Sequence, residues 1–267
     1  MNGHRSSAPD LTRSFTDRVH ALWRRLQRPV IVGLCGAQGS GKSTLAQASR
    51  EHLESLGVRS AIVSLDDFYL PQAERMKLST CIHPLLITRG VPGTHDTDLL
   101  ASCLDQLVQP GYCDLPRFDK AHDTRANEVT RVQTPVEVVL FEGWCVGARP
   151  QPSSDLVTPI NRLEAEEDPN CTWRNFVQSQ LAGPYQNLFA SIDALALLEA
   201  PDFAIVFEWR REQEMALRRQ TGAGMSDAQL IRFIAHFERL TRWILLEMPA
   251  RADWCFRLDA HRHWLTD

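Results

Sequence analysis

Short, largely apolar runs alternate along this chain with longer stretches in which apolar residues recur every three or four positions. The runs Val30–Cys35, Arg59–Leu65 (centred on Ala61, Ile62 and Val63), Val136–Phe141, Asp193–Leu198 and Phe203–Phe207 predict buried strands. Lys42–Leu56, stopped by Gly57, and Leu99–Val108, closed by Pro110-Gly111, predict helices. Ser226-Asp-Ala-Gln229 has the form of a capping box, opening a long helix that runs to Met248 with Phe233, Phe237, Leu240 and Ile244 on one stripe. Near the start, Phe15, Val19, Leu22, Trp23 and Leu26 stand at helical spacing behind a stretch, residues 1–13, that reads as a loose tail. Residues 14–267 read as one domain. Apolar strands separated by helices build a parallel sheet covered on both faces, so the expected class is α/β.

Two stretches exceed what such a core needs for its connections. Roughly seventy residues rich in Pro, Gly, His and Asp separate the second strand from Val136, a length that marks an insertion built for a site. Arg149–Pro169 is a second, Pro- and acid-rich one. Composition narrows the class further. The chain has 267 residues, 43% of them hydrophobic, and a formal charge of −4, with no basic excess to favour nucleic acid. Its apolar runs are too short for a bilayer. Seven scattered cysteines without a C-x-x-C pair read as reduced thiols, not as a disulfide framework or zinc site, and with the absence of spans they predict a cytoplasmic protein.

The first strand feeds Gly36-Ala37-Gln38-Gly39-Ser40-Gly41-Lys42-Ser43-Thr44, which fits G-x-x-x-x-G-K-[ST], the Walker A phosphate loop. Glycines let successive N–H groups turn inward toward phosphate oxygens, and the helix that follows adds its positive end. Lys42 then reaches the β- and γ-phosphates and Ser43 can ligate Mg²⁺. The match is specific here, because the chain holds three lysines (Lys42, Lys77, Lys120) against 26 arginines. ATP and Mg²⁺ are the cofactors this loop predicts.

Other candidates sit at strand ends. Val138–Gly143 is an apolar strand ending in Glu142, placed to order Mg²⁺ beside the phosphate loop. Ser64-Leu-Asp-Asp-Phe-Tyr69 puts two acids at the end of the second strand. Phosphoryl transfer to an alcohol needs a carboxylate to take the hydroxyl proton, a role read first for Asp66 and second for Asp67. Arg89–Asp96, with His95 and Asp96, and Leu115–Lys120, with Arg117, Asp119 and Lys120, supply cations and hydrogen-bonding groups for a small anionic acceptor, as does Arg125. Glu208–Arg219 reads as a helix bearing arginines at 210, 211, 218 and 219 ahead of Thr221-Gly-Ala-Gly224. It is either a lid whose Arg210 and Arg218 reach ATP or a salt-bridged solvent helix.

Taken in order, these motifs resemble the uridine kinase, phosphoribulokinase and pantothenate kinase group of P-loop kinases, in which the acid matching Asp66 serves as the acceptor's base. More closely, Ser64–Tyr69, Arg89–Asp96, Pro116–Lys120, Phe141-Glu-Gly-Trp144, Trp209-Arg210 with the Gln-Glu that follows, and Met225-Ser-Asp227 are similar to the plant-type D-glycerate 3-kinase family and its bacterial relatives. The resemblance runs from residue 28 to the C-terminus. It implies ATP- and Mg²⁺-dependent phosphorylation of D-glycerate at its 3-hydroxyl, by a monomer or weak homodimer. It also implies that Tyr69 stands with Asp67, His95, Asp96, Arg117, Asp119 and Lys120 around the acceptor. A kinase for a pantothenate-, nucleoside- or sugar-like acceptor is the alternative within the same class. The non-enzymatic alternative is a nucleotide-responsive binding protein, for which the Asp66 carboxylate is dispensable. A GTPase is excluded, since neither Lys77 nor Lys120 lies in an Asn-Lys-x-Asp context.

Overall fold

A computed structural model describes residues 4–6, 8–221 and 224–266. Strand β1 (His4–Ser6) and helix α1 (Ala8–Leu26) lead to β2 (Val30–Gly36), and α2 (Lys42–Ser55) then leads to β3 (Ser60–Ser64). Helices α3 (Gln72–Cys81) and α4 (Thr97–Leu107) and strands β4 (Gly111–Leu115), β5 (Phe118–Asp119), β6 (Thr124–Arg125) and β7 (Thr130–Thr134) fill the first insertion. The chain returns to the sheet as β8 (Val138–Gly143). After α5 (Arg162–Glu167), α6 (Thr172–Gln180) and α7 (Gln186–Phe189) come β9 (Ala194–Glu199), α8 (Phe203–Thr221), α9 (Asp227–Glu247), β10 (Trp254–Arg257) and β11 (Trp264–Thr266).

The central sheet is parallel, in the order β10-β9-β2-β8-β3. Alternation along β2 explains why it reads as one apolar run. Val30, Val32 and Leu34 pack with Phe15, Val19, Leu22, Leu45 and Leu53 from α1 and α2, whereas Ile31 and Cys35 pack with Leu100, Leu104, Leu240 and Ile244 from α4 and α9. Both faces are covered, as the strand pattern implied. Because β8 lies between β2 and β3, the loop after β2 and the carboxyl ends of β8 and β3 open onto one crevice, where open α/β sheets bind ligands.

Three expectations change. Phe203–Phe207 is the first part of α8, not a strand. Asp202 caps it by accepting the Ile205 N–H at 2.8 Å, and the three-residue spacing of Phe203, Val206 and Trp209 buries one helical face in the core. The fifth sheet strand is β10 instead. The stretch 1–13 is no loose tail throughout, since α1 starts at Ala8 and Leu11 extends its buried stripe by one more turn, while β1 pairs with β11. Residues 1–3 and 7 of that stretch lie outside the described residues, as do Gly222 and Ala223 of the Thr221–Gly224 stretch, which the lid reading takes as a glycine hinge. The capping box forms as read: Ser226 Oγ accepts the Gln229 N–H at 3.3 Å and Gln229 Oε1 accepts the Ser226 N–H at 2.8 Å. Among the described residues no helix is long and apolar enough to cross a membrane.

Two buried histidines make stability depend on pH. Burial pushes both His95 and His236 down to about 4, so each is neutral in the fold at pH 7. The unfolded chain binds those protons near pH 6.5. Their contribution is therefore complete above about pH 6.5 and falls as pH drops toward 4, by up to about 1.4 kcal/mol per pH unit for each group. Thermal unfolding from pH 7.5 to 4.5 should show the decline, and His236→Gln should make it shallower by about one proton. Parallel curves for variant and parent would refute this assignment.

Candidate active site

The phosphate loop folds as its glycines require. Gly39 (φ +77°) and Gly41 (φ +91°) occupy the left-handed region, and α2 starts at Lys42 so that its positive end faces the loop. A Cβ at Gly39 would lie 2.6 Å from Trp209 Cβ, so α8 packs directly on the loop. The Trp209 indole donates to the Ala260 carbonyl at 2.8 Å. Arg262 lies over the Trp209 ring, donates to the Gly39 carbonyl at 2.6 Å and pairs with Glu212 at 2.7 Å. Trp209 and Arg262 thus brace the loop from outside; only Trp209 belonged to a recognisable motif.

Register places Glu142 beside Leu34 of β2 and Ser64 of β3. Its Oε1 accepts the Ser43 hydroxyl at 2.9 Å, whereas its Oε2 is buried without a hydrogen-bond partner. A hydroxyl and an unsatisfied carboxylate oxygen fit a hard cation that takes its other ligands from phosphate and water. Among the described residues no group of three or more His, Cys, Asp or Glu could hold a metal ion.

Across the crevice, Leu65–Phe68 form a single 3₁₀ turn at the end of β3. It separates the two adjacent acids. Asp66 Oδ1 accepts the Tyr69 hydroxyl at 2.6 Å and Oδ2 accepts Lys120 Nζ at 2.6 Å. Burial works to raise the Asp66 carboxyl, but Lys120, then Lys42, and the hydrogen bonds from Lys120 and Tyr69 hold it well below the usual carboxylate range. Asp67 turns away, accepting the Phe118 N–H at 3.1 Å and Arg117 at 3.0 Å.

A cleft of about 350 Å³ joins Gln38, Gly39, Lys42 and Ser43 to Asp66, Tyr69, Lys120 and Arg210. Glu142 meets it through Ser43. The remaining acceptor candidates stand elsewhere. Asp96 caps α4 and pairs with Arg125 at 2.9 Å; Asp119 accepts the Ala121 and His122 N–H groups in an exposed turn. Arg117 is spent on Asp67. His95 stacks against Tyr69, ring centroids 4.7 Å apart, with Nδ1 2.5 Å from the Tyr185 hydroxyl. Arg218 lies 3.7 Å from Asp227 and does not line the cleft. Conversely, the cleft includes Arg89, read from sequence only as part of the cationic Arg89–Asp96 patch, and Trp144, Gln213 and Phe233, none singled out as a ligand from sequence. Arg89 lies over Tyr69 and Phe118 and pairs with Asp123. Phe233 was read only as core, since it shares the buried stripe of α9.

The basic helix divides between its two readings. Arg211 pairs with Glu208 on the solvent side, at 2.5 Å, whereas Arg210 lines the cleft, pairs with buried Glu214 at 2.8 Å and lies over the Phe233 ring. Glu214 also accepts the Met225 N–H at 2.6 Å, tying α8 to the start of α9. Burial pushes the Cys35 thiol up to about 12 and Cys145 well above its ordinary value, so neither offers a thiolate nucleophile here. A larger, more apolar groove of about 550 Å³ between α5, α8 and α9 holds none of the groups just described.

A family model for phosphoribulokinase and uridine kinase matches residues 31–148, which carry the phosphate loop, Asp66, the hairpin of β5 and β6, and Glu142. An uncharacterized kinase, mug58, of Schizosaccharomyces pombe is 35% identical over 79% of this chain and 79% of its own length. The chain belongs to the phosphoribulokinase/uridine kinase family. Within this family it is also similar to the chloroplastic D-glycerate 3-kinase of Arabidopsis thaliana, 32% identical over 78% of this chain, which spans just under half (46%) of the plant protein. Among solved structures, D-glycerate 3-kinase from Cryptococcus neoformans var. grubii superposes with a TM-score of 0.83 at 27% identity, covering 97% of this chain and 98% of that one. The α/β fold with its central parallel sheet is thus that of P-loop kinases, and the chain is an ATP-dependent small-molecule kinase of this family.

Proposed function

We propose that the enzyme transfers the γ-phosphoryl group of ATP to the primary hydroxyl of a small hydroxy-acid, D-glycerate, giving 3-phosphoglycerate. The observation that carries this reading is Asp66, held between Tyr69 and Lys120 and facing the cleft that begins at Lys42 and Ser43. A base beside a cation is what a molecule bearing both an alcohol and a carboxylate calls for. The D-glycerate 3-kinase relatives agree with that pairing.

In this scheme the acceptor oxygen bonds to the γ-phosphorus. The bond from that phosphorus to the β,γ-bridging oxygen breaks with its electron pair leaving on ADP. The hydroxyl proton passes to Asp66 and then to solvent. Lys42 and Arg210 face the phosphoryl oxygens and offset their charge. Ser43 and Glu142 would hold Mg²⁺, which supplies charge neutralisation at the phosphates. Tyr69 orients the Asp66 carboxylate, and Lys120 with Arg89 meets the acceptor's carboxylate.

Purified protein with ATP and Mg²⁺ is expected to phosphorylate D-glycerate in preference to pantothenate, uridine and ribulose 5-phosphate. ADP release coupled to each acceptor, with the product identified by mass, decides the matter. Turnover of one of the others with none of D-glycerate would replace the assignment.

A further inference from the structure

The segment that carries Lys120 is fastened along its length. Asp67 takes the Phe118 N–H and Arg117, and Asp96 takes Arg125. Asp123 pairs with Arg89 and, at 2.5 Å, with the buried guanidinium of Arg75. Arg89 also donates to the Lys120 carbonyl at 3.3 Å. The Lys120 backbone is therefore held from both sides, yet its side chain is 57% exposed and ends a flexible four-carbon stem. What can move is the ammonium, not the loop.

That ammonium lies 2.6 Å from Asp66 Oδ2 while Tyr69 occupies Oδ1. Both oxygens of the base thus carry donors, and a carboxylate engaged by a cation is a weak proton acceptor. The charged groups facing Asp66 are Lys120 and Lys42, with Tyr69 and, behind it, neutral His95. Lys42 belongs to the phosphates. Arg89, the other cation on the acceptor side, is already tied to Asp123. Lys120 alone combines a place in the cleft, a flexible stem and a single partner that the reaction needs free.

We infer that Lys120 is a latch on the base: it caps Asp66 in the pose seen here and swings to the acceptor's carboxylate when one binds, so that an anionic acceptor releases the group that activates its own hydroxyl. The inference rests on the acceptor class proposed above and adds two consequences. Selection against neutral alcohols acts on kcat as well as on affinity. Water is disfavoured as an acceptor, because nothing in it draws Lys120 away.

Hydrolysis of ATP without an acceptor tests this. In that reaction a water oxygen bonds to the γ-phosphorus, ADP leaves with the electron pair, and one water proton goes to Asp66 and on to solvent. Full-length Lys120→Met is expected to hydrolyse ATP about tenfold faster than the parent, a fraction of the roughly 10²–10⁴-fold that a positioned general base typically contributes. Lys120→Arg, which keeps a cation on Asp66, should hydrolyse ATP more slowly than Lys120→Met. Propanoate, a carboxylate with no hydroxyl to phosphorylate, should accelerate hydrolysis severalfold in the parent and leave Lys120→Met unchanged. Combining Lys120→Met with Asp66→Asn should return the rate to the parent's level or below. A Lys120→Met enzyme that binds ATP normally but hydrolyses it no faster overturns the latch. So does a parent enzyme indifferent to propanoate. Failure of the acceptor reading shows separately, as absence of D-glycerate phosphorylation by the parent enzyme.

Discussion

Asp66→Asn is expected to lower kcat at least about a hundredfold, the scale of losing a general base, with ATP affinity within about twofold of the parent. The amide keeps the shape of the side chain and can still meet Tyr69, but it cannot take the acceptor's proton. Because Lys42, Ser43 and Glu142 are untouched, nucleotide binding measured by calorimetry should persist while steady-state turnover collapses. Asp67→Asn provides the contrast. That side chain holds Arg117 and the Phe118 N–H rather than lining the cleft, so its loss should loosen the Lys120 segment and raise KM, with kcat reduced much less. An Asp66→Asn enzyme that retains its turnover would dispose of the base assignment, moving the role to Asp67 or removing it altogether.

The sequence exposed the strands whose neighbours treat both faces alike. β2, β3, β8 and β9 each carry a short apolar core because helices cover them on two sides. β10 escaped notice because its residues are mixed: Phe256 is buried, but Cys255 and Arg257 are exposed, so its run never becomes apolar, whereas β3 at the opposite edge keeps Ala61, Ile62 and Val63 in a row. Phe203–Phe207 misled for the opposite reason. Five apolar residues fit a buried strand or a buried helical face equally well, and the deciding facts, the Asp202 cap and the packing of Trp209 on the phosphate loop, are a local detail and a distant contact.

Legibility in the site divides along similar lines. The phosphate loop and Glu142 could be read because their chemistry is tied to fixed spacing and to strand ends. The acceptor side could not be sorted in the same way. Asp66 and Asp67 are neighbours in one 3₁₀ turn, and only their partners, both some fifty residues away, distinguish the base from the clamp. Arg117, Asp96 and Arg125 have the composition of an anion site, yet two ion pairs between distant segments use them to hold the insertion in place. Arg89 reaches the cleft through the same network, as one of two arginines on Asp123. Charge content announces that an insertion is polar; the pairing that decides which charges remain for a ligand is a tertiary property.

Glu142→Gln carries the other large effect. Glu142 is 3% exposed, its Oε1 holds the Ser43 hydroxyl, and its Oε2 is buried without a hydrogen-bond partner. Burying a carboxylate oxygen without a partner costs about 1–3 kcal/mol, more when charged, a cost that a bound cation removes. The neutral amide should therefore relieve strain in the metal-free protein while removing a ligand from the loaded one. In the absence of Mg²⁺, Glu142→Gln should melt at or above the temperature of the parent. In its presence, kcat should fall about a hundredfold and the Mg²⁺ concentration giving half-maximal rate should rise about tenfold, the scale seen when a metal's supporting ligand is lost. Excess Mg²⁺ should restore part of the activity, a rescue that Asp66→Asn should not show, since its defect lies in proton transfer. Coincident Mg²⁺ titrations for variant and parent would remove Glu142 from the metal site and reduce it to an anchor for Ser43.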